Sequence, residues 1–301
     1  LSPWGWARRV ALLLLLAAIA WAGVGYWTFS NAVGESNGRV TAAARQALDP
    51  APGGLLGTPQ NTLIIGADGT NEAGSRADTI MLMRTDPDAG RIKYLSIPRD
   101  FKVQLPDVGT AKINAAFATR GQAGIIRAVR DLTDLPVHHL IVVNFRGLPR
   151  LVDDLGGVTV NNPTALVDCP YAGGRTVSFP RGRIELDGER ALEFARVRKC
   201  DSDLARAARQ QVLVAALKGE IASPGSLPRA PWRGAAVARA ITTDLGTIDM
   251  IKMGWLQARL DQRPGDRIVL AGEPSTIGGI SYVVPLPDQD EQQLQRFVAR
   301  S

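Results

Sequence analysis

The sequence predicts an α/β fold: a three-layer α-β-α sandwich with a central mixed sheet, preceded by one N-terminal transmembrane helix. Three observations predict it. Val10 to Phe29 is a twenty-residue stretch without a charge. Beyond residue 60, short runs rich in Ile, Leu and Val alternate with stretches of helical pattern, the interleaving that buries a sheet between helices. The 301 residues are 45% hydrophobic and 21% charged, the balance of a globular chain rather than a disordered one.

The apolar stretch reads VALLLLLAAIAWAGVGYWTF. As a helix rising about 1.5 Å per residue it spans the roughly 30 Å hydrocarbon core of a bilayer. Arg8 and Arg9 precede it and no basic residue follows before Arg39, so the positive-inside rule puts residues 1–9 in the cytoplasm and the bulk of the chain outside. Trp4, Trp6, Tyr26 and Trp27 sit near the two ends, where amphipathic rings favour the interface. The competing reading is a cleavable signal peptide, because Ala18-Ile19-Ala20 has the small-x-small form of a cleavage site. The apolar run continues through Trp21 to Phe29, longer than a usual signal core, and favours a single-pass anchor in the cell membrane.

Residues 30–60 read as a juxtamembrane linker. They hold an Ala-rich helical piece, Arg39 to Leu48, and the breaker cluster Asp49-Pro50-Ala51-Pro52-Gly53-Gly54. One extracytoplasmic domain is expected over residues 61–301. Strand-type runs lie at Thr62 to Ile65, Thr79 to Arg84, Ile92 to Ile97, Leu140 to Asn144 and Val158 to Val160. Helical patterns lie at Ala115 to Arg130, Leu148 to Leu155, Glu189 to Phe194 and Leu204 to Ile221. After a break at Ala222 to Pro228, a further helical region, a strand at Ile280 to Val284 and a helix at Gln289 to Ala299 belong to the same fold.

The net charge of +6 suits nucleic acid, anionic lipid or a phosphate-rich substrate. The arginines are spread, with a concentration at Arg196, Arg198, Lys199, Arg206 and Arg209, and no helix-turn-helix or zinc pattern accompanies them, which argues against nucleic acid. Cys169 and Cys200 lack CxxC spacing and the two histidines, His138 and His139, are adjacent, so a zinc site is not expected. Outside the cytoplasm the cysteines can form one disulfide; two buried thiols are the alternative.

Four stretches concentrate charge beside expected strands. Asp68 ends the first strand, and Asp78 opens the second. Two carboxylates around a glycine-containing loop suit a hard cation such as Mg2+, although loop aspartates also cap turns. In the third stretch Arg99 and Asp100 terminate a buried strand, and Lys112 and Asn114 follow. A guanidinium fork matches two phosphate oxygens at once; a surface ion pair is the plainer reading. The fourth runs from Arg196 and Arg198 to Arg206 and Gln210, the last two standing four apart on one helix face. Charges mostly of one sign repel, so an anion is the economical partner.

Together the pieces NTLIIGAD, SRADTIML, YLSIPRD, TAKINAAF, VVNFRGLPRLVDDLGGVTV, LDGERALEFARVRK and DLARAARQQ resemble, in order, the LytR-CpsA-Psr family over Asn61 to Ile221. Thr242-Thr243-Asp244-Leu245 looks like the C-terminal part of that domain. The resemblance implies that Asp68 and Asp78 bind Mg2+. It also implies that Arg99, Lys112, Arg198, Arg206 and Gln210 hold the pyrophosphate of a polyprenyl-linked glycan, with Asn114 and Arg196 beside them. Members of this kind transfer a phosphoglycan to a peptidoglycan hydroxyl and release polyprenyl phosphate. The resemblance implies a hydrophobic pocket for the lipid tail, for which Phe145 is a candidate. Ala67 stands where valine is frequent, and Lys199 to Arg206 lacks the glycines often found in that loop.

Phosphoryl transfer asks mainly for positioning and charge neutralisation. Arg99, Arg198 and Arg206 are the expected stabilisers of the leaving phosphate, and Asp78 or Asp100 the acceptor of the hydroxyl proton. A lipid-pyrophosphate phosphatase or pyrophosphatase, and a non-catalytic binder of lipid-linked glycan, are the alternatives.

Overall fold

The computed structural model describes residues 3–67, 76–106, 108–144, 147–197, 209, 212–213, 215–217, 219–220, 230–261, 263 and 265–299. Asp68, Phe145, Arg198, Cys200, Arg206 and Gln210 lie outside the described residues. In chain order the first elements are α1 (Pro3–Gly38), α2 (Ala42–Ala47), β1 (Gln60–Ala67), β2 (Ala77–Asp86), β3 (Arg91–Ile97), β4 (Lys102–Leu105), β5 (Gly109–Lys112), α3 (Ile113–Thr133) and β6 (His139–Asn144). Then come α4 (Leu148–Leu155), β7 (Val158–Asn162), β8 (Leu166–Pro170), β9 (Thr176–Phe179), β10 (Gly182–Leu186) and α5 (Gly188–Arg196). The last are α6 (Ala230–Ala240), β11 (Ile241–Thr243), α7 (Thr247–Arg259), β12 (Arg267–Val269), β13 (Gly272–Ile277), β14 (Ile280–Pro285) and α8 (Pro287–Val298). These elements form two compact units, Leu1–Val33 with Gly147–Ala240, and Gly34–Arg146 with Ile241–Ser301.

The second unit holds a six-stranded sheet in the order β11-β6-β1-β2-β3-β12. It is mixed: β1 runs parallel to β6 and β3 to β12, while β1–β2, β2–β3 and β6–β11 are antiparallel. Successive side chains of a strand point to opposite faces. Leu63, Ile65, Leu82, Leu95, Leu140 and Val142 accordingly join Phe117, Ile125 and Val129 of α3 in one core. The intervening Ile64, Met83, Tyr94 and Ile141 meet Met253 and Leu256 of α7 in a separate cluster on the other face. Helix, sheet and helix thus make the expected α-β-α layers. The α3 helix bends at Gly121, whose φ of 59° favours a residue without Cβ.

Residues 30–60 differ from a plain linker. The α1 helix runs on to Gly38, and Val40, Ala44 and Ala47 are buried in the sheet's core. Ala44 and Ala47 stand three apart on one face of α2, Val40 packs just ahead of its cap, and the small side chains let α2 approach closely. Thr41 caps α2 by accepting from the Ala44 N–H at 3.1 Å. Asp49 accepts from the Val137 N–H at 2.8 Å and from Arg130 at 3.3 Å.

Val158–Val160, expected as a sheet strand, lies instead in the first unit, where β7 pairs with β10 in a two-stranded ladder. The core there joins Val152, Val158, Val160, Phe179 and Phe194 with Leu213 and Leu217. Asp187 caps α5 through the Arg190 N–H at 2.8 Å, and the described residues between 209 and 220 are helical. Buried Glu193 pairs with Arg175 and Arg190, each at 3.0 Å. Cys169 is buried and disulfide-bonded. α1 is long and apolar enough to cross a membrane, and its large apolar side chains from Trp4 to Trp27 are exposed. At the start of α6, Pro231 packs against Gly25, and the Trp232 ring lies 6.0 Å from that of Trp21.

Candidate active site

The antiparallel pairing of β2 with β3 sets Ile80 opposite Ile97, so the start of one strand and the end of the other lie side by side. Asp78 is the second residue of β2, while Arg99 and Asp100 follow β3. Arg99 Nη1 donates to Asp78 Oδ1 at 2.6 Å, and its Nε lies 3.5 Å from Asp100 Oδ2. Lys112, at the end of β5, approaches Asp100 Oδ1 to 2.7 Å. The Asn114 N–H, in the first turn of α3, donates to the Arg99 carbonyl at 3.2 Å. Five of the expected residues thereby share one place.

Main chain and core hold that place from three directions. Phe101 is fully buried and fixes the turn after Asp100. The Ile113 N–H donates to the Phe101 carbonyl at 2.8 Å, and the Val283 N–H of β14 to the Asp100 carbonyl at 2.9 Å. Nothing in the pattern of β14 as a terminal strand signalled that contact.

The charged tips remain open. Arg99 is 53% exposed and Asp78 43%, and exposed pairs contribute only about 0–1 kcal/mol to stability. An incoming anion can therefore take over the guanidinium at little cost to the fold. The hydrogen bond that Arg99 donates to Asp78 raises the Arg99 pKa above its ordinary value against partial desolvation, helped by the charges of Asp78 and Asp100, so Arg99 stays cationic. Asp78 and Asp100 against Arg99 and Lys112 make this cluster neutral. Both oxygens of Asp100 are engaged; Asp78 Oδ2 has no partner among the described residues.

Among the described residues no three His, Cys, Asp or Glu side chains are grouped to hold a metal. The donors at this place are all carboxylate oxygens, and one of them is open. That chemistry fits Mg2+, which takes oxygen ligands and completes its shell with water or phosphate.

In the first unit, Arg196 is the exposed last residue of α5. Arg209, which the sequence placed among charges awaiting an anion, is instead 3% exposed. Its Nε donates to the Phe194 carbonyl at 3.1 Å and its Nη2 to the Val197 carbonyl at 2.6 Å. A buried cation thus satisfies the carbonyls at the end of α5, just before the chain reaches Arg198. Replacing it by methionine keeps most of the volume but removes the donors, so Arg209→Met should destabilise by about 2–4 kcal/mol. Urea unfolding of the two proteins tests this, and a midpoint unchanged within error would make the clamp irrelevant.

Asp244, quoted in the family resemblance, also proves structural. It accepts from the Leu140 N–H at 2.7 Å and faces His139 Nδ1 at 2.8 Å, while His139 Nε2 meets Gln60 Oε1 at 2.9 Å. His139 pairs with Thr62, and Asn144 with Ala67, so this network lies at the opposite end of the sheet from Asp78.

The profile of the LytR_cpsA_psr family matches residues 27–297. The chain belongs to this family. A relative from Oceanobacillus iheyensis, named polyisoprenyl-teichoic acid–peptidoglycan teichoic acid transferase TagU, is 35% identical over 237 residues, 74% of this chain and 70% of its own. A solved structure of TagT bound to LIIa-WTA is 26% identical, with a TM-score of 0.60 over 82% of this chain and 94% of that one. The family protein YwtF (TagT) with bound octaprenyl pyrophosphate lipid shares the fold at 23% identity, with a TM-score of 0.60 over 82% of this chain and 92% of that one.

Proposed function

We propose that this LytR_cpsA_psr protein is a membrane-anchored phosphotransferase. It moves a glycopolymer from a polyprenyl pyrophosphate carrier to a hydroxyl of peptidoglycan. The observation that carries the reading is the Asp78, Arg99, Asp100 and Lys112 cluster, charged and open at the ends of buried strands, in a family whose relatives bear transferase names. The α1 helix anchors the chain, and Arg8 and Arg9 before it put the folded part outside the cytoplasm. The disulfide of Cys169 suits that compartment, and Cys200, the other cysteine of the sequence, is its proposed partner.

In the reaction the acceptor oxygen bonds to the glycan-bearing phosphorus as the bond from that phosphorus to the bridging oxygen breaks. Polyprenyl phosphate leaves with the bond's electrons, and a carboxylate takes the hydroxyl proton. Arg99 and Lys112 bind and orient the pyrophosphate, with Arg196, Arg198, Arg206 and Gln210 as further donors. In-line positioning and fixed charge supply most of the rate in such chemistry. Asp68 and Asp78 would hold Mg2+, which supplies positive charge against the phosphate oxygens. Asp78 has the open oxygen, so the needs for a metal ligand and for a proton acceptor converge on it.

The test uses the full chain in vesicles with a donor labelled in the glycan, with and without peptidoglycan. Label joined to peptidoglycan together with polyprenyl monophosphate is the expected outcome. Equal phosphoglycan release without acceptor would mark a lipid-pyrophosphate hydrolase, and donor retained without turnover a binding protein. Arg198→Ala and Arg206→Ala should each abolish transfer with thermal unfolding unchanged; near wild-type turnover in either removes that residue from the pyrophosphate site.

A further inference from the structure

The turn that carries Arg99 and Asp100 rests on an element with no charged group in the cluster. β12 runs beside β3. Just past it the Leu270 N–H donates to the Ser96 carbonyl at 3.0 Å and the Ala271 N–H to Gln293 Oε1 at 2.8 Å. The chain therefore enters β13 with its backbone fixed next to the strand that ends before Arg99. The first residue of β13 is Gly272. A Cβ there would overlap Val283 Cγ1, and would stand 3.0 Å from the Val284 carbonyl oxygen and 3.3 Å from Phe101 Cε2. None of the three gives way easily: valine is stiff at χ1, the carbonyl is main chain, and the Phe101 ring is fully buried in the sheet's core. Gly272 is not among the glycines held at positive φ, so close approach rather than backbone conformation calls for it.

What the close approach delivers is the main chain of Val283. In the antiparallel β13–β14 ladder Val283 stands opposite Pro274, which has no N–H to give, and a directly opposed pair exchanges either two hydrogen bonds or none. The Val283 N–H consequently points away from the hairpin. It donates to the Asp100 carbonyl at 2.9 Å, where Val283 and Phe101 form a parallel bridge. The Phe101 N–H closes back on the Pro98 carbonyl at 3.0 Å, and the Asn114 N–H on the Arg99 carbonyl at 3.2 Å. The main chain of Arg99 is thus held by α3 directly, and by the hairpin through Asp100 and Phe101.

We propose that Gly272 is a positioning residue for Arg99. Because it carries no side chain, β13 closes on Phe101, the outward N–H of β14 reaches Asp100, and the guanidinium of Arg99 meets the substrate's phosphate from a fixed direction. Gly272 acts through Phe101 and Val283 and takes no part in the chemistry itself. The inference rests on the reading of Arg99 as a pyrophosphate-binding group.

A double-mutant cycle on the full chain in vesicles, with labelled donor, peptidoglycan and thermal unfolding of every preparation, tests it. Gly272→Ala should lower kcat by roughly ten- to a hundredfold, the loss expected when a reacting group is misplaced by about 1 Å. Adding Val283→Ala, which removes Cγ1 and keeps the N–H, should recover part of that rate. In an Arg99→Ala background Gly272→Ala should lower kcat by less than about twofold, a coupling that general damage to the fold does not produce. Phe101→Leu loosens the same contact without crowding it; it is carried through the same cycle and decides the matter if Gly272→Ala does not fold. Wild-type kcat in Gly272→Ala overturns the inference, as does a double variant no faster than Gly272→Ala. A fall by the same factor with and without the Arg99 guanidinium overturns it too, and leaves the reading of Arg99 standing. Wild-type kcat/KM in Arg99→Ala alone removes that reading and the inference with it.

Discussion

Arg99→Ala is expected to lower transfer by roughly two to three orders of magnitude, the usual loss when one preorganised donor to developing negative charge is removed. The unfolding midpoint should change little, because a guanidinium 53% exposed and paired at the surface contributes at most about 1 kcal/mol. Arg99→Lys keeps the charge but loses the planar fork that meets two phosphate oxygens together, so it recovers only part of the activity. Initial rates with labelled donor and thermal unfolding of the same preparations separate the two effects. Wild-type kcat/KM in Arg99→Ala would take the guanidinium out of the chemistry, and an equal fall in stability and rate would make it a structural residue.

The cluster around Arg99 was legible because its residues follow hydrophobic runs that only a buried sheet explains. Leu63 and Ile65 on one face and Ile64 on the other are the alternation expected of β1, and the charge after such a strand stands at the sheet's end. The three-layer order followed from the same periodicities. Pairing was not legible. Val158–Val160 has the same composition as the sheet strands, yet pairs with β10 elsewhere, since strand content says nothing about partners. The packing of Val40, Ala44 and Ala47 was hidden by alanine, whose small apolar surface looks alike in a linker and in a tight helix contact. Arg209 was misread for a physical reason too: burial is invisible in a run of charges, and a backbone carbonyl partner leaves no mark in sequence. Asp244 shows that a match to a family pattern separates neither catalytic from structural carboxylates nor one end of the sheet from the other.

Removal of divalent cation is expected to stop transfer in the wild type, and the charges of the site say why. Asp78 and Asp100 offset Arg99 and Lys112 within hydrogen-bonding distance, so a pyrophosphate arriving there meets a cluster without net positive charge. A cation held by Asp78 and Asp68 would turn the carboxylates from repelling groups into part of the anion site. Asparagine is the informative replacement at position 78, since its amide oxygen still accepts from Arg99 while its charge toward a metal is gone. Asp68→Asn and Asp78→Asn should each raise the magnesium concentration for half-maximal rate by roughly ten- to a hundredfold. Binding of the lipid tail, which depends on apolar burial, should survive in both. Turnover is measured across a magnesium titration after EDTA treatment for wild type and both variants. Full activity of the metal-free wild type would end the magnesium reading, and a variant with an unchanged magnesium response would remove that aspartate from the site.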